Sequence, residues 1–393
     1  MARSNQRLPI NPSVLKWARQ NAGFSVEEIA EKTSVNRDKV MSWEAGEASP
    51  TLRQARNLAK YFKRPFLEFF ATEIPEISGT QLVPDFRFHP TPIFPDEERE
   101  LKEVQAWAEE QRLNVLDLME MLGETPGQFP EELHATTSEN VEQIAQQVRA
   151  FVDFPIEEQI QVPNSKKSQI PKTIRAKFSA CNTLVLKESR LSKIRTRGIC
   201  LFAEPLPIII YGNEAPGAQA FTLAHEFAHI ILKKSAISAF LNFDEAKDTN
   251  KAIESWCNKF AAAFLMPADA VEKNLDLTDI PAPSISDNEV SRLATTFGVS
   301  RHAMLIRLVS LQYVDPQYYW RVKREQYINE AKNYTSPPVR SPYYGKRYKN
   351  RLGEFYTGLV IEAWNTGKIS AHNAAEFMGI KNIQHLNDIR NEV

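Results

Sequence analysis

Two of the seven histidines in this 393-residue chain stand four apart, with a glutamate directly after the first: His225-Glu226-Phe227-Ala228-His229. On a helix that spacing brings both imidazoles to one face, where they can grip one ion at Zn–N distances of about 2.0–2.1 Å. Glu226 then points to the side of the pair. From there a carboxylate does not easily complete the coordination shell, but it can take a proton from a water polarised by the ion and later pass it to a leaving amine. Such a pattern arises by chance in a chain of this size on the order of once in a hundred, so its surroundings must decide.

A hydrolytic zinc site keeps three protein ligands and one open position, which calls for a third ligand from elsewhere. Glu254 is the candidate. It opens a second helical segment whose Ile253, Trp256, Cys257, Phe260, Phe264 and Leu265 recur at helical spacing. Ala261, Ala262 and Ala263 would let the two helices approach closely. The competing reading is a buried structural helix with hydrogen-bonded histidines, in which Glu254 is merely a charge favoured by a helix N-terminus. An HExxH on an apolar helix, followed by ExxCNxFAAxxLMP, favours the metal. Cys257 sits in the apolar stripe, which predicts packing rather than ligation.

The first helix, roughly Ala218 to Leu232, is apolar on nearly every side and therefore belongs in an interior. Before it, CNTLVLKE, GICLFAE and LPIIIYG are short apolar, partly β-branched runs bounded by Asn, Gly and Pro, as strands of a small sheet are. Further helices are expected over the acidic stretch that follows Pro95, over Glu139 to Val152, and over residues 286–330 and 350–390, the last two separated by the Pro/Tyr-rich TSPPVRSPYYGKRYKN.

Nearer the N-terminus, residues 13–70 read as short helices punctuated by turns. Ser25-Val-Glu-Glu28 is a capping box that starts one of them, with Ile29 and Ala30 beginning its buried face. Thr33-Ser34 makes a turn, and Val35 to Glu44 forms the next helix with Val40 and Trp43 inward. Its first residues are then free to enter a major groove. A helical bundle serving only protein contacts is the plainer alternative. Residues 1–75 carry twelve Lys+Arg against eight Asp+Glu, which agrees with a polyanionic partner although the whole chain has a net charge of -1.

Composition narrows the class. With 42% hydrophobic and 25% charged residues, the chain reads as globular rather than disordered. No secretory signal or long apolar span is evident, and Cys181, Cys200 and Cys257 form no metal-binding or disulfide spacing. A cytoplasmic protein is expected. His89, His302, His372 and His385 lack ligand spacing and read as ordinary histidines.

GICLFAEPLPIIIYGNEAP, AQAFTLAHEFAHIIL and ESWCNKFAAAFLMP together resemble the ImmA/IrrE family of metallo-endopeptidases, with PDFRF at 84–88 and EVSRLATTFGVSRHAMLIRL at 289–308 as weaker echoes. The resemblance implies zinc, with manganese as a substitute in vitro, held by His225, His229 and Glu254, and Glu226 as acid/base. It also implies a protein substrate, typically a helix-turn-helix repressor. The chain itself is another candidate substrate, through its proline-rich connector. LPIIIYG would be the sheet edge along which an extended substrate is added. Residues 14–62 resemble the Xre/Cro-type helix-turn-helix family, although many members have Gly where Ser34 stands. That likeness implies an operator in double-stranded DNA, with Arg37, Asp38 and Ser42 at base edges and Asn36 and Lys39 near phosphates.

The expected fold is therefore multidomain and mainly α, with a small α+β zincin-like peptidase domain and an N-terminal five-helix helix-turn-helix domain. The expected divisions are 1–72 for DNA binding, 73–95 as connector, 96–270 for the peptidase, 271–335 as a helix-turn-helix-like subdomain and 336–393 as a C-terminal helical element for docking or homodimerisation. No membrane association is expected. The rival function is a transcription factor or antitoxin-like regulator without proteolysis, its metal sensory or structural. An aminopeptidase is disfavoured because nothing marks a terminal-amine pocket.

Overall fold

The computed structural model describes residues 10–62, 64, 66–74, 95–194, 196–234, 236–239, 248–275, 285–332 and 344–390. The connector read over 73–95 and the PDFRF segment fall largely or wholly outside them. The chain forms two compact units, one of residues up to 74 together with 95–106, the other from 107 onward. No described helix is long and apolar enough to cross a membrane.

The first unit holds α1 (Pro12–Asn21), α2 (Val26–Thr33), α3 (Arg37–Glu44), α4 (Leu52–Phe62) and a 3-10 turn at Phe66–Phe70, so the fifth helix expected here is a 3-10 turn. Local signals start these helices: Asn11 caps α1 ahead of Pro12, and Ser25 and Glu28 make the reciprocal capping box of α2. Ser34 ends α2 at φ 53, the left-handed conformation usually given to glycine. Val14, Leu15, Ile29, Val40, Trp43, Leu58, Phe62 and Phe69 fill the core. Arg19 clasps Glu44 through two bonds of 2.6 and 3.0 Å and donates to the Phe24 carbonyl, tying α1 to α3. The long α5 (Pro95–Leu122) begins in this unit, where Arg99 pairs with Glu28 at 2.6 Å and lies over the Phe24 ring.

In the second unit, α6 (Val141–Phe151), α7 (Ile156–Gln161) and α8 (Ile170–Ser179) precede a sheet of β1 (Leu184–Lys187), β2 (Thr196–Leu201) and β3 (Ile208–Tyr211). Then come α9 (Pro216–Ile231), β4 (Ala236–Ala239), α10 (Asp248–Leu265) and α11 (Ala268–Asn274). The strand order is β1-β3-β2-β4, with β3 parallel to β1 and antiparallel to β2. This corrects the edge assigned to LPIIIYG. β3 is buried at every residue and flanked on both sides, so its backbone groups are already used and it cannot accept a substrate strand.

α12 (Asp287–Phe297) and α13 (Arg301–Ser310) follow, hinged at Gly298 in the left-handed region and capped by Ser300. The geometry repeats that of α2 and α3, but Val290, Leu293, Phe297, Met304, Leu305 and Leu308 belong to the same core as α9 and α10. α14 (Pro316–Tyr318), a π-helical stretch Tyr319–Lys323 and α15 (Arg324–Lys332) come next. Last are α16 (Tyr344–Leu352), α17 (Glu354–Asn365), α18 (Ala371–Phe377) and α19 (Gln384–Arg390). The helix α16 starts inside the stretch read as a Pro/Tyr-rich separator and packs against β1. Buried Arg175 donates to the Asn350 and Arg351 carbonyls at its end, and Arg351 pairs with Glu188 at 2.6 Å.

The C-terminal carbonyls of α10 are held by side chains rather than by a following turn. Arg149 donates to Phe264, Arg307 to Met266, and the Gln159 amide to both Leu265 and Phe297. Cationic donors suit a helix C-terminus, and these bonds satisfy carbonyls that burial would otherwise orphan. Replacing Gln159 by Leu should therefore lower the stability of this unit by about 3 kcal/mol or more, since two carbonyls and one Arg149 N–H lose their partner; calorimetric unfolding of the full chain measures it.

Candidate metal centre

The α9 helix lies against the sheet between α8 and α10. Phe227 stacks on Phe178 with ring centroids 3.9 Å apart, and this core contact fixes how α9 is rotated about its axis. The face it leaves for the site carries Thr222, His225, Glu226 and His229 at i, i+3, i+4 and i+7. His225, Glu226 and His229 are each at most 5% exposed.

The two Nε2 atoms stand 3.2 Å apart, and each faces a different oxygen of Glu254 at 3.3 Å. Ligand atoms bound at about 2.0–2.1 Å to one tetrahedral ion sit roughly 3.3–3.4 Å from each other, and these three contacts have that spacing. Among the described residues these three form a group able to hold a metal. Two imidazoles and a carboxylate are the donor set of a hydrolytic site with a position left over.

Electrostatics follow the same arrangement. Burial opposes the charge on Glu254, yet bonds and charge from the two imidazoles outweigh it and hold the carboxyl far below its usual range. Burial likewise opposes a charged His225, but Glu254 and then Glu226 raise its proton affinity; for His229 burial prevails and lowers it. Cys257 is fully buried in the core, its thiol pushed up by desolvation and then by the charges of Glu254 and Glu226, and it stands outside the metal-binding group.

Glu226 lies outside the triad as well, with its carboxylate resting on the backbone of Gly198 in β2. A Cβ at Gly198 would overlap Oε1 of Glu226. No motif reading singled out Gly198; its meaning comes from strand β2 passing beneath α9. Asn258, one turn beyond Glu254, stands beside His225 and was likewise read only as part of a family pattern. His302 is packed between the rings of Tyr319 and Tyr327, its Nε2 2.9 Å from the Tyr319 hydroxyl.

On the first unit, Asn36, Arg37, Asp38 and Lys39 are exposed at the start of α3, and Ser42 is half-buried. The Asn36 side chain accepts from the Asp38 backbone as the cap of α3. Arg37 pairs with Glu27 at 2.7 Å, both about as open to water as each other, and Ser42 donates to the Lys39 carbonyl.

These features define a two-part chain in which a helix-turn-helix unit is joined to a peptidase-type unit with a metal-binding group on two helices. Residues 183–309 match the family model of the IrrE N-terminal-like domain, Peptidase_M78, and residues 15–69 match a helix-turn-helix family model. Over these spans the chain is similar to an ImmA/IrrE-type metallopeptidase domain and, ahead of it, to an Xre-type helix-turn-helix domain. The peptidase match runs from β1 through α13, within a core that extends from Phe129 to Tyr327. Among curated proteins no match was found.

Removing the third donor tests the group directly. The Glu254→Ala chain should lose metal affinity by at least about tenfold while remaining folded, as read by metal analysis after dialysis against a weak chelator; undiminished metal would exclude Glu254.

Proposed function

We propose that this chain is a zinc-dependent endopeptidase joined to an operator-binding domain, acting in the cytoplasm on a regulatory protein, either a separate helix-turn-helix repressor or the chain itself. One observation carries the reading: three ligand atoms converge from α9 and α10, while Glu226, adjacent in sequence, stays out of the triad and is buried beside it. A site that only braces a fold closes its coordination with four protein ligands and has no use for a neighbouring base. Nitrogen and carboxylate donors in this number suit zinc better than calcium or magnesium, which take more oxygens. Manganese is the expected substitute in vitro.

Bound there, zinc supplies the Lewis acidity that makes water a nucleophile near neutral pH. Glu226 is the residue that would take a proton from the attacking water and return it to the amide nitrogen as the peptide bond breaks. Gly198 lets the carboxylate lie flat against β2, which limits the orientations it samples and aims its oxygens. Among the described strands β4 has one neighbour only, and it follows the metal helix directly; its outer edge is where an extended substrate would add.

At the other end, Arg37 is the residue proposed to read a guanine, with Asp38 and Ser42 beside it and Asn36 and Lys39 toward phosphates. Swapping Glu27 for an operator contact costs little, since an exposed ion pair is worth under about 1 kcal/mol.

Two outcomes are expected. Zinc-loaded wild type should cut a repressor substrate, or itself within residues 73–95, whereas Glu226→Gln should keep its zinc and cut at least about 100-fold more slowly on a denaturing gel. Equal inertness of both proteins with every metal would favour the non-proteolytic regulator. Arg37→Ala should weaken binding to a selected operator by about 1–3 kcal/mol at fixed salt, measured by fluorescence anisotropy.

A further inference from the structure

We propose that Met41, on the outward face of α3, reads the C5 methyl group of a thymine in the operator; this deepens the operator-binding reading and rests on it.

The helix α3 turns Val40 and Trp43 into the core of its unit, 2% and 1% exposed, while Met41 between them stands 47% open to water. Half of an apolar side chain is thus left hydrated in the middle of the helix, where it contributes little to holding the fold. Met41 comes three residues after Asp38 and four after Arg37, so the three share the side of α3 that points away from the core. Among the described residues of this unit, Leu52 and Ile74 are the other large apolar side chains left comparably open, and neither lies on α3. The position is therefore particular to the helix that the family match and the exposed first turn mark as the one facing DNA.

Several polar neighbours of Met41 already have work within the protein. Asn36 accepts from the Asp38 backbone at 3.2 Å, the Ser42 hydroxyl donates to the Lys39 carbonyl at 2.8 Å, and Arg37 pairs with Glu27 at 2.7 Å. Met41 has a flexible, unbranched thioether chain that fits itself to an irregular surface. The base edges of a major groove are lined with hydrogen-bond donors and acceptors, and the apolar group they offer is the C5 methyl of thymine. An apolar chain pressed into that groove gains by covering this methyl and gains nothing from a cytosine in its place, which has an N4–H donor and no methyl. Four residues of helix rise about 6 Å, close to two base-pair steps, so the thymine lies within about two base pairs of the guanine read by Arg37.

The probe is a duplex selected from random DNA by the full-length chain, with each thymine replaced in turn by deoxyuridine. That exchange removes the C5 methyl and leaves every hydrogen-bonding atom of the base in place. Affinity is read by fluorescence anisotropy at one salt concentration. One replacement should weaken binding by wild type about fourfold, the weight of one buried methyl group. The same replacement should leave Met41→Ala and Met41→Gln unmoved, whereas Met41→Leu, apolar and of similar size, should keep the response. Since Met41 stands outside the core, all three variants should fold as wild type does. A selected site without thymine, a wild type indifferent to every replacement, or an equal response in Met41→Ala overturns the assignment and leaves the operator-binding reading standing. Failure of the full-length chain to select any duplex overturns both.

Discussion

The peptidase unit depends on one costly convergence: two imidazoles and a carboxylate, nearly dry, brought within 3.3 Å of each other by separate helices. Burying a carboxylate is unfavourable by several kcal/mol unless a partner compensates it. The compensation here is mutual, since Glu254 stabilises the rings and the rings stabilise its charge. That arrangement demands that α9 and α10 be close, and small residues suit it: Ala224 and Ala228 on one and Ala261, two turns beyond Glu254, on the other, all buried. It also demands that neither helix rotate. Phe227 on Phe178 resists rotation of α9, and the side-chain caps at Phe264, Leu265 and Met266 hold the far end of α10.

Much of this was legible in the residues themselves. HExxH needs only the helical period to put His225 and His229 together, and the apolar character of α9 announced its burial. Glu254 was legible because it adjoins the apolar stripe of α10, although α10 starts six residues earlier, at Asp248, so that Glu254 does not open the helix. The capping box at Ser25 and Glu28 marked α2 within a residue, since capping is local chemistry. What stayed hidden depends on register between distant segments. Ile208 to Tyr211 is apolar throughout, and such a run does not say whether it is central or at an edge; the sheet order decided that. Ala236–Ala239 is short and mixed in character, so β4 gave no signal. Gly198 acquires meaning only from α9 crossing above, which has no local signature. The helix α16 was obscured by the prolines just ahead of it, although its own residues carry none.

The family matches and the geometry support each other because they draw on different information. The matched span from 183 to 309 takes in α12 and α13 as well as the metal helices, and the core explains why: Phe297 and Leu308 pack with Phe227 and Phe264 in one apolar body. The carbonyl caps reinforce it, since Gln159 binds the ends of α10 and α12 together. A change in α12 thus bears on the helix that carries Glu254.

The hairpin of α2 and α3 has a twin in α12 and α13. Both bend at a left-handed residue, Ser34 or Gly298, then run through a valine to a capping side chain and an arginine. In the first, the positions after the cap look into water. In the second, Arg301 is committed to Glu330, His302 is clamped between tyrosines, and a Cβ on Gly217 would strike Ser300. One piece of scaffolding thus stands open to solvent in the first unit and serves as a brace in the second, and what distinguishes the two is written not in the bend but in whatever is laid across its tip.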